Sequence, residues 1–207
     1  ESLEIEFQLK FFSSLFTVFC LTAFINSINL VDGINSLANT ILFLIVTTIY
    51  FLFKQNSYFF IQLIFFLGIN SLIIYRGRYF LGDSGSLGIS TFIGLYIIYQ
   101  YNLNLESPIN KLLTEDIFIL MAFPGLDMLR VFFLRLINKK NPFKPERNHL
   151  HHLLIDKYSL KKTLTLYLIF VTIPIILNFY FNLYASYMLI LTIILYMVLI
   201  NISKKRV

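Results

Sequence analysis

An all-α fold, a polytopic bundle of transmembrane helices, is the class this 207-residue sequence predicts, and three observations predict it. The hydrophobic fraction is 57% and the mean hydropathy +0.75. Soluble domains hold roughly 45–50% apolar residues, so lipid is the natural solvent of this chain. Charge is absent from residues 11–31, 33–53, 55–75 and 84–105, four runs of 21 or 22 residues, against the roughly 20 that a helix needs to cross a bilayer core. The runs are continuous, which argues against the alternating pattern of a transmembrane β-barrel.

Taken in order, seven spans are expected. The first four fall at about 11–29, 38–53, 58–75 and 87–105. A fifth, about 113–136, is less clean because it carries Glu115, Asp116, Asp127 and Arg130. Residues 163–203 form an uncharged run of 41, long enough at about 1.5 Å per residue to cross twice. The polar break "NFYFNLYAS" at 178–186 divides it into spans at about 163–180 and 185–202. All seven belong to a single integral membrane domain covering 1–207. The opening "ESLEIEFQLK" holds three Glu and no basic leader, which argues against a secretory signal peptide. The first residue is not Met, and further chain upstream is expected. Cys20, alone and inside a span, offers neither a disulfide nor a metal framework.

Charge sets the expected orientation. Fourteen of the 17 Lys and Arg lie in the connections near 76–86 and 137–162, at the end of the fifth span and at the C-terminus. Lys10, Lys54 and Lys111 lie on the other side. The basic side is expected to be cytoplasmic. The net charge of +6 therefore reports topology, and no nucleic-acid partner is expected.

Three polar stretches interrupt the apolar runs, all on that side: "NSINLVDGINSLAN" (26–39), "GRYFLGDSGSLG" (77–88) and "NPFKPERNHLHHLL" (141–154). Polar groups converging on one membrane face point to one site. In the first, Asn29, Asp32 and Asn35 recur every three residues and share a drifting face if the helix continues that far. Gly33 permits a turn or a close backbone approach. Amide and carboxylate oxygens suit Mg²⁺; helix-end capping is the plainer explanation. In the second, Asp83 lies between glycines, and Ser84 or Ser86 could cap the next helix. A simple glycine turn explains it about as well.

The third holds all three histidines of the chain, His149, His151 and His152, beside Arg147. His149 and His152 share a face in a helix, and His151 points elsewhere. Without Cys or an H-E-x-x-H spacing, zinc is unsupported. Basic residues with imidazoles suit a diphosphate better. A loop drawn to anionic lipid explains the Lys and Arg but not the clustered His. Asp127, an intramembrane carboxylate, is a functional candidate by default, although pairing with Arg130 at i, i+3 accounts for it more cheaply.

Asn-x-x-Asp-Gly-x-Asn, Gly-Asp-x-Gly-Ser and Pro-Phe-x-x-Glu-Arg-x-His-x-His-His, in this order, resemble the polyprenyl-phosphate N-acetylhexosamine-1-phosphate transferases. The likeness is to the bacterial branch that starts cell-envelope glycans. It implies a Mg²⁺-dependent enzyme, with Mn²⁺ as a substitute. The reaction is transfer of sugar 1-phosphate from a UDP-N-acetylhexosamine to undecaprenyl phosphate, with release of UMP. The setting implied is the cytoplasmic face of the bacterial inner membrane, among membrane lipid, and a homodimer is compatible with it. By the resemblance, Asp83 and Asn29 are metal ligands, and Asn29, Asn35 and Arg147 bind substrate. Asp83, Asp32, His149, His151 and His152 form the catalytic set, with the basic motif on the diphosphate.

The chain departs from the pattern at Asn35, where many bacterial members have Asp, and at Glu146, where Asp is usual. It also lacks the family's adjacent Asp-Asp pair. The expectation is thus the C-terminal two-thirds of a larger fold, incomplete for catalysis by itself. Two other classes compete: a transporter with Asp32, Asp83 and Asp127 along a pathway, and a non-catalytic membrane remnant. Transporters place polar groups near the midplane, which disfavours the first.

Overall fold

A computed structural model describes residues 12–53, 58–105, 113–142, 147–181 and 183–204. Among them are eight helices and no strand: α1 (Ser13–Val31), α2 (Leu37–Phe53), α3 (Tyr58–Tyr75), α4 (Gly82–Leu105), α5 (Thr114–Ile137), α6 (Leu150–Ile155), α7 (Leu160–Phe179) and α8 (Ala185–Ser203). A bilayer offers the backbone no hydrogen bonds, so helices that satisfy their own amides are the expected solution.

Five helices, α1, α3, α5, α7 and α8, are long and apolar enough to cross a membrane, and α2 is apolar over Leu37–Leu52 but shorter. The count of seven spans therefore exceeds what length and apolarity carry. The difference lies in α2 and in α4, which has 24 residues but begins with Gly82, Asp83 and Ser84 and ends among Gln100, Asn102 and Asn104. The protein is a multi-pass helical membrane protein.

Apolar residues surround these helices on all sides, as expected where one face meets protein and the other lipid. Ile28, Leu37, Ile41, Leu42 and Leu67 are fully buried. Phe65, Phe66 and Leu72 on α3, and Tyr187, Ile190, Ile194 and Met197 on α8, are exposed. Lipid solvates such stripes, which water would penalise. Threonine hydroxyls are hidden in the same way: Thr47, Thr48, Thr172 and Thr192 each donate to the carbonyl four residues back.

Helix α1 packs on α4 and α5, α2 on α3, and α8 on both α5 and α7. The polar cross-links then sort by end. At one end Asn29 of α1 meets Asp83 of α4, Ser36 donates to the Ser71 carbonyl of α3, and Lys157 donates to the carbonyls of Ile202 and Lys204. At the other, Asn178 of α7 donates to Asp116 of α5 at 2.7 Å. All three polar stretches thus come to one end of the bundle.

Asn39, fully buried, ties α2 to α3 by donating to the Leu67 carbonyl and the Ser71 hydroxyl, both at 2.7 Å. Asn39→Ala removes both bonds, and inter-helix polar contacts in membranes contribute about 0.6–1.7 kcal/mol. The variant is expected to unfold at a measurably lower temperature in detergent, with its helix content unchanged by circular dichroism.

Candidate functional site

The acidic half of the site forms where α1 ends. The helix stops at Val31 and Asp32 is its C-cap, so the continuous Asn29–Asp32–Asn35 face expected from spacing does not form. Asn29 remains in the last helical turn, while Asn35 is exposed in the following loop. Its amide lies beside Gly77, where an added Cβ would come within 3.8 Å of Asn35 Nδ2. Asn29 Nδ2 donates to Asp83 Oδ1 at 3.0 Å and to Ser86 Oγ at 2.9 Å.

Asp83 reaches this point because Gly82 adopts a left-handed φ of 67° and turns the chain into α4. The carboxylate then falls in the first turn of that helix, where the helix dipole favours negative charge. Neither Ser84 nor Ser86 caps α4, because the helix starts earlier, at Gly82; Ser86 instead donates back to the Gly82 carbonyl at 3.0 Å. Burial pushes the Asp32 carboxyl up to about 6; the Gly82 N–H bond opposes this and the nearby Asp83 charge adds to it.

The Asp32 and Asp83 carboxylates are hard donors of the kind Mg²⁺ takes, and Asn29 would add its amide oxygen on turning its NH₂ away from Asp83; Mg²⁺ commonly completes its shell with water and substrate phosphate. Among the described residues no group of three His, Cys, Asp or Glu is placed to hold an ion by itself. A hard cation here would therefore draw its remaining oxygens from solvent and substrate. The residues fit that use.

The basic half is built on α6. Residues 143–146, including Glu146 of the sequence motif, lie outside the described residues. His149 is extended, with φ −66° and ψ 148°, and stands as the N-cap of α6. The helical i, i+3 relation between His149 and His152 is therefore broken at its first member. As a result His151 does not point away from the other two. Its ring stacks on His149 with centroids 5.7 Å apart and meets His152 at 4.2 Å. His151 is fully buried, His152 is half-buried and Arg147 is exposed. Burial, with His152 beside it, pushes His151 down to about 3. His152 is lowered as well, by burial and then by Arg147.

The two halves touch at Gly33. A Cβ on this residue would lie 2.8 Å from His151 Nε2 and 3.2 Å from two ring atoms of His152. The backbone beside Asp32 thus rests on the imidazoles, the close approach that a glycine there allows.

The sequence undervalued Asp127. It pairs with Arg130 at 2.9 Å as the spacing implies, but it also faces His149 Nδ1 at 3.0 Å and accepts from the Leu150 N–H and the Tyr196 hydroxyl. Its intramembrane position was the available signal.

Asp32 gives the site a pH signature. Its folded-state pKa of about 6 lies above the ordinary 3.8, so the folded chain keeps a proton that the unfolded chain releases. The resulting stability is complete below about pH 3.8 and is lost as pH rises through about 6. Asp32→Asn is expected to melt roughly 2–4 °C higher than the parent at pH 7.5 without divalent cations, equivalent to about 1 kcal/mol in a domain of this size. The gap is expected to close at pH 3.8, which paired melting curves would read.

Comparison with known proteins adds an independent line. The family model described as glycosyl transferase family 4 matches residues 2–101, which include Asn29, Asp32, Asn35 and Asp83 but not the histidines. Over 154 residues the chain is 30% identical to the undecaprenyl-phosphate alpha-N-acetylglucosaminyl 1-phosphate transferase of Yersinia pestis. Over 157 residues it is 27% identical to the protein of that name in Escherichia coli K12. Each match covers 70% of this chain and 41% of the relative. A shorter match, 33% over 78 residues, to the protein of that name in Pasteurella multocida covers 38% of this chain and 21% of that one. The chain thus spans about two-fifths of the length of the first two relatives. No solved structure matches it significantly. Through residues 2–101, just under half of its length and the stretch that holds Asn29, Asp32 and Asp83, the chain is similar to glycosyl transferase family 4.

Proposed function

We propose that this chain carries the site of an enzyme that transfers N-acetylhexosamine 1-phosphate from a UDP-sugar to undecaprenyl phosphate. UMP is released, and a cell-envelope glycan is begun at the cytoplasmic face of the bacterial inner membrane. One observation carries the reading: at Gly33 the end of α1 that carries Asp32 rests directly on the imidazoles of α6. Donors for a hard cation and donors for anionic oxygens therefore share one end of the bundle, as a cation-bound diphosphate requires. The names of the relatives favour N-acetylglucosamine as the hexosamine. The gathering of basic residues in the connections at this end supports its cytoplasmic placement.

In the reaction an oxygen of the lipid phosphate bonds to the phosphorus that carries the sugar. The bond from that phosphorus to the oxygen bridging it to the uridine phosphate breaks, and UMP leaves with the electron pair. Asp83 and Asn29, with Asp32 alongside, would hold Mg²⁺ or Mn²⁺, which when bound offsets the charge of the diphosphate. Arg147 is exposed beside His152, and its planar guanidinium suits a phosphate oxygen pair. Asn35, exposed at the rim, would meet the uracil or sugar.

The test is UMP release from UDP-N-acetylglucosamine and undecaprenyl phosphate by membranes carrying the natural gene product. Mg²⁺-dependent release is expected, and Asp83→Asn is expected to lower it on the order of 100-fold or more, since one metal-bound charge contributes several kcal/mol. Well-expressed protein that releases UMP from neither UDP-N-acetylglucosamine nor another UDP-N-acetylhexosamine would overturn the reading.

Gly33→Ala tests the contact itself. Its backbone lies outside the left-handed region, so the substitution probes space and not conformation. The added methyl must displace His151, which is hemmed in by its neighbours. Turnover is expected to fall at least about 10-fold, because small displacements at a reacting centre are costly, with the amount of protein in the membrane unchanged on immunoblots.

A further inference from the structure

We propose that Asp127 is a positioning residue of this site: it holds the proton of His149 on Nδ1, leaving Nε2 as the ring nitrogen available to substrate. The consequence for substrate rests on the transferase reading; the tautomer rests on geometry alone.

Asp127 sits inside α5 with 1% of its surface exposed, yet its carboxylate is ringed by donors. Oδ1 accepts from Arg130 Nη2 at 2.9 Å, from the Tyr196 hydroxyl at 2.9 Å and from the Leu150 N–H at 3.0 Å. Oδ2 accepts from the same N–H at 3.1 Å and faces His149 Nδ1 at 3.0 Å. The Tyr196 hydroxyl itself accepts from Arg130 Nε at 2.6 Å, so its proton is directed at Asp127. A guanidinium, a hydroxyl and a backbone amide all pointing at one carboxyl select its ionised form, and an ionised carboxylate only accepts. The remaining partner, Nδ1 of His149, must therefore donate.

This separates His149 from the other two imidazoles. Among the described residues neither nitrogen of His151 has a hydrogen-bond partner, and its ring is fully buried. His152 stands near Arg147, a cation, and near Asp156. Among the described residues, His149 is the one whose ring is hydrogen-bonded to a carboxylate. With Nδ1 tied down, a second proton can reside only on Nε2. The cation so formed is offset by Asp127 and can donate Nε2–H to an anionic phosphate oxygen. A carboxylate behind a histidine plays the same orienting part in metal and hydrolase sites.

The test reads the tautomer directly. Ring-¹⁵N spectra of histidine-labelled, membrane-reconstituted protein distinguish a protonated from a bare ring nitrogen, and loss of a signal in His149→Gln assigns it. Wild type is expected to carry the His149 proton on Nδ1. In Asp127→Asn, Arg130, Tyr196 and Leu150 keep the amide oxygen at the Oδ1 position. The amide NH₂ then faces His149, Nδ1 becomes the acceptor, and the proton moves to Nε2. Tyr196→Phe removes one donor from Oδ1 and leaves Oδ2 alone, so it is expected to retain the wild-type tautomer.

UMP release is expected to fall on the order of 10–100-fold in Asp127→Asn, the usual effect of removing a histidine's outer partner. The double variant with His149→Gln is expected to be no slower than His149→Gln alone; losses that multiply would mean that Asp127 acts independently. A wild-type His149 with its proton on Nε2 alone, or an unchanged tautomer in Asp127→Asn, would overturn the proposal. Should Asp127→Asn fail to fold, the wild-type spectrum decides the tautomer, and Asp127→Glu, which keeps a charge for Arg130, takes its place in the double-variant comparison. Wild type with the Nδ1 proton but no UMP release would overturn the transferase reading and leave the tautomer standing.

Discussion

The carboxylate of Asp127 is the point to which the polar end of the bundle is tied. It belongs to α5, but its partners come from α8 through Tyr196 and from the entry to α6 through His149 and Leu150. Arg130 joins the same group, reaching the Asn148 carbonyl as well. Inside a membrane such a charge is costly unless it is paired and hydrogen-bonded, and here it is both. Through this one group α6 is docked, and through α6 the imidazoles meet the end of α1.

Lipid shapes what remains. With apolar surface welcome on both sides of a helix, burial alone cannot specify which faces meet. The pairing of α2 with α3 is accordingly marked by polar contacts, Asn39 with Leu67 and Ser71, and Ser36 with the Ser71 carbonyl. The pairing of α1 with α4 is marked by Asn29 with Asp83 and Ser86. The second of these contacts is also part of the candidate site. Recognition between helices and preparation of the site are in that instance the same hydrogen bonds.

The helical class and the convergence of the polar stretches were legible because charge-free runs and their interruptions are linear properties. Helix ends were less so. A shared face for Asn29, Asp32 and Asn35 requires helix through Asn35, whereas the chain leaves the helix at Asp32 and passes Ser36 at a φ of 73°. Periodicity contains no term for such a turn. It likewise places His151 opposite His149, because it assumes helix at a residue whose ψ of 148° is extended. Asp127 shows the other limit. Its partner three residues away was readable, whereas His149 and Tyr196, 22 and 69 residues distant, become neighbours only through the fold. The number of spans also depended on α4, whose charge-free length hides polar residues at both ends.

Helix α5 carries a second, part-buried attachment. Near its start Asp116 accepts from Asn178 of α7, and eleven residues later Asp127 accepts from α8 and α6. These two points are separated along the axis by roughly 16 Å, more than half the hydrocarbon thickness of a bilayer. A helix fastened at two depths cannot slide or change its tilt against its neighbours without breaking both sets of bonds. When the surrounding bilayer is thinner or thicker than the protein, the mismatch must then be absorbed by lipid and by less tethered helices. The depth of the imidazoles relative to these helices is thereby set by the protein, and under the proposed function a lipid-linked phosphate arriving in the plane of the headgroups would meet them at a constant depth.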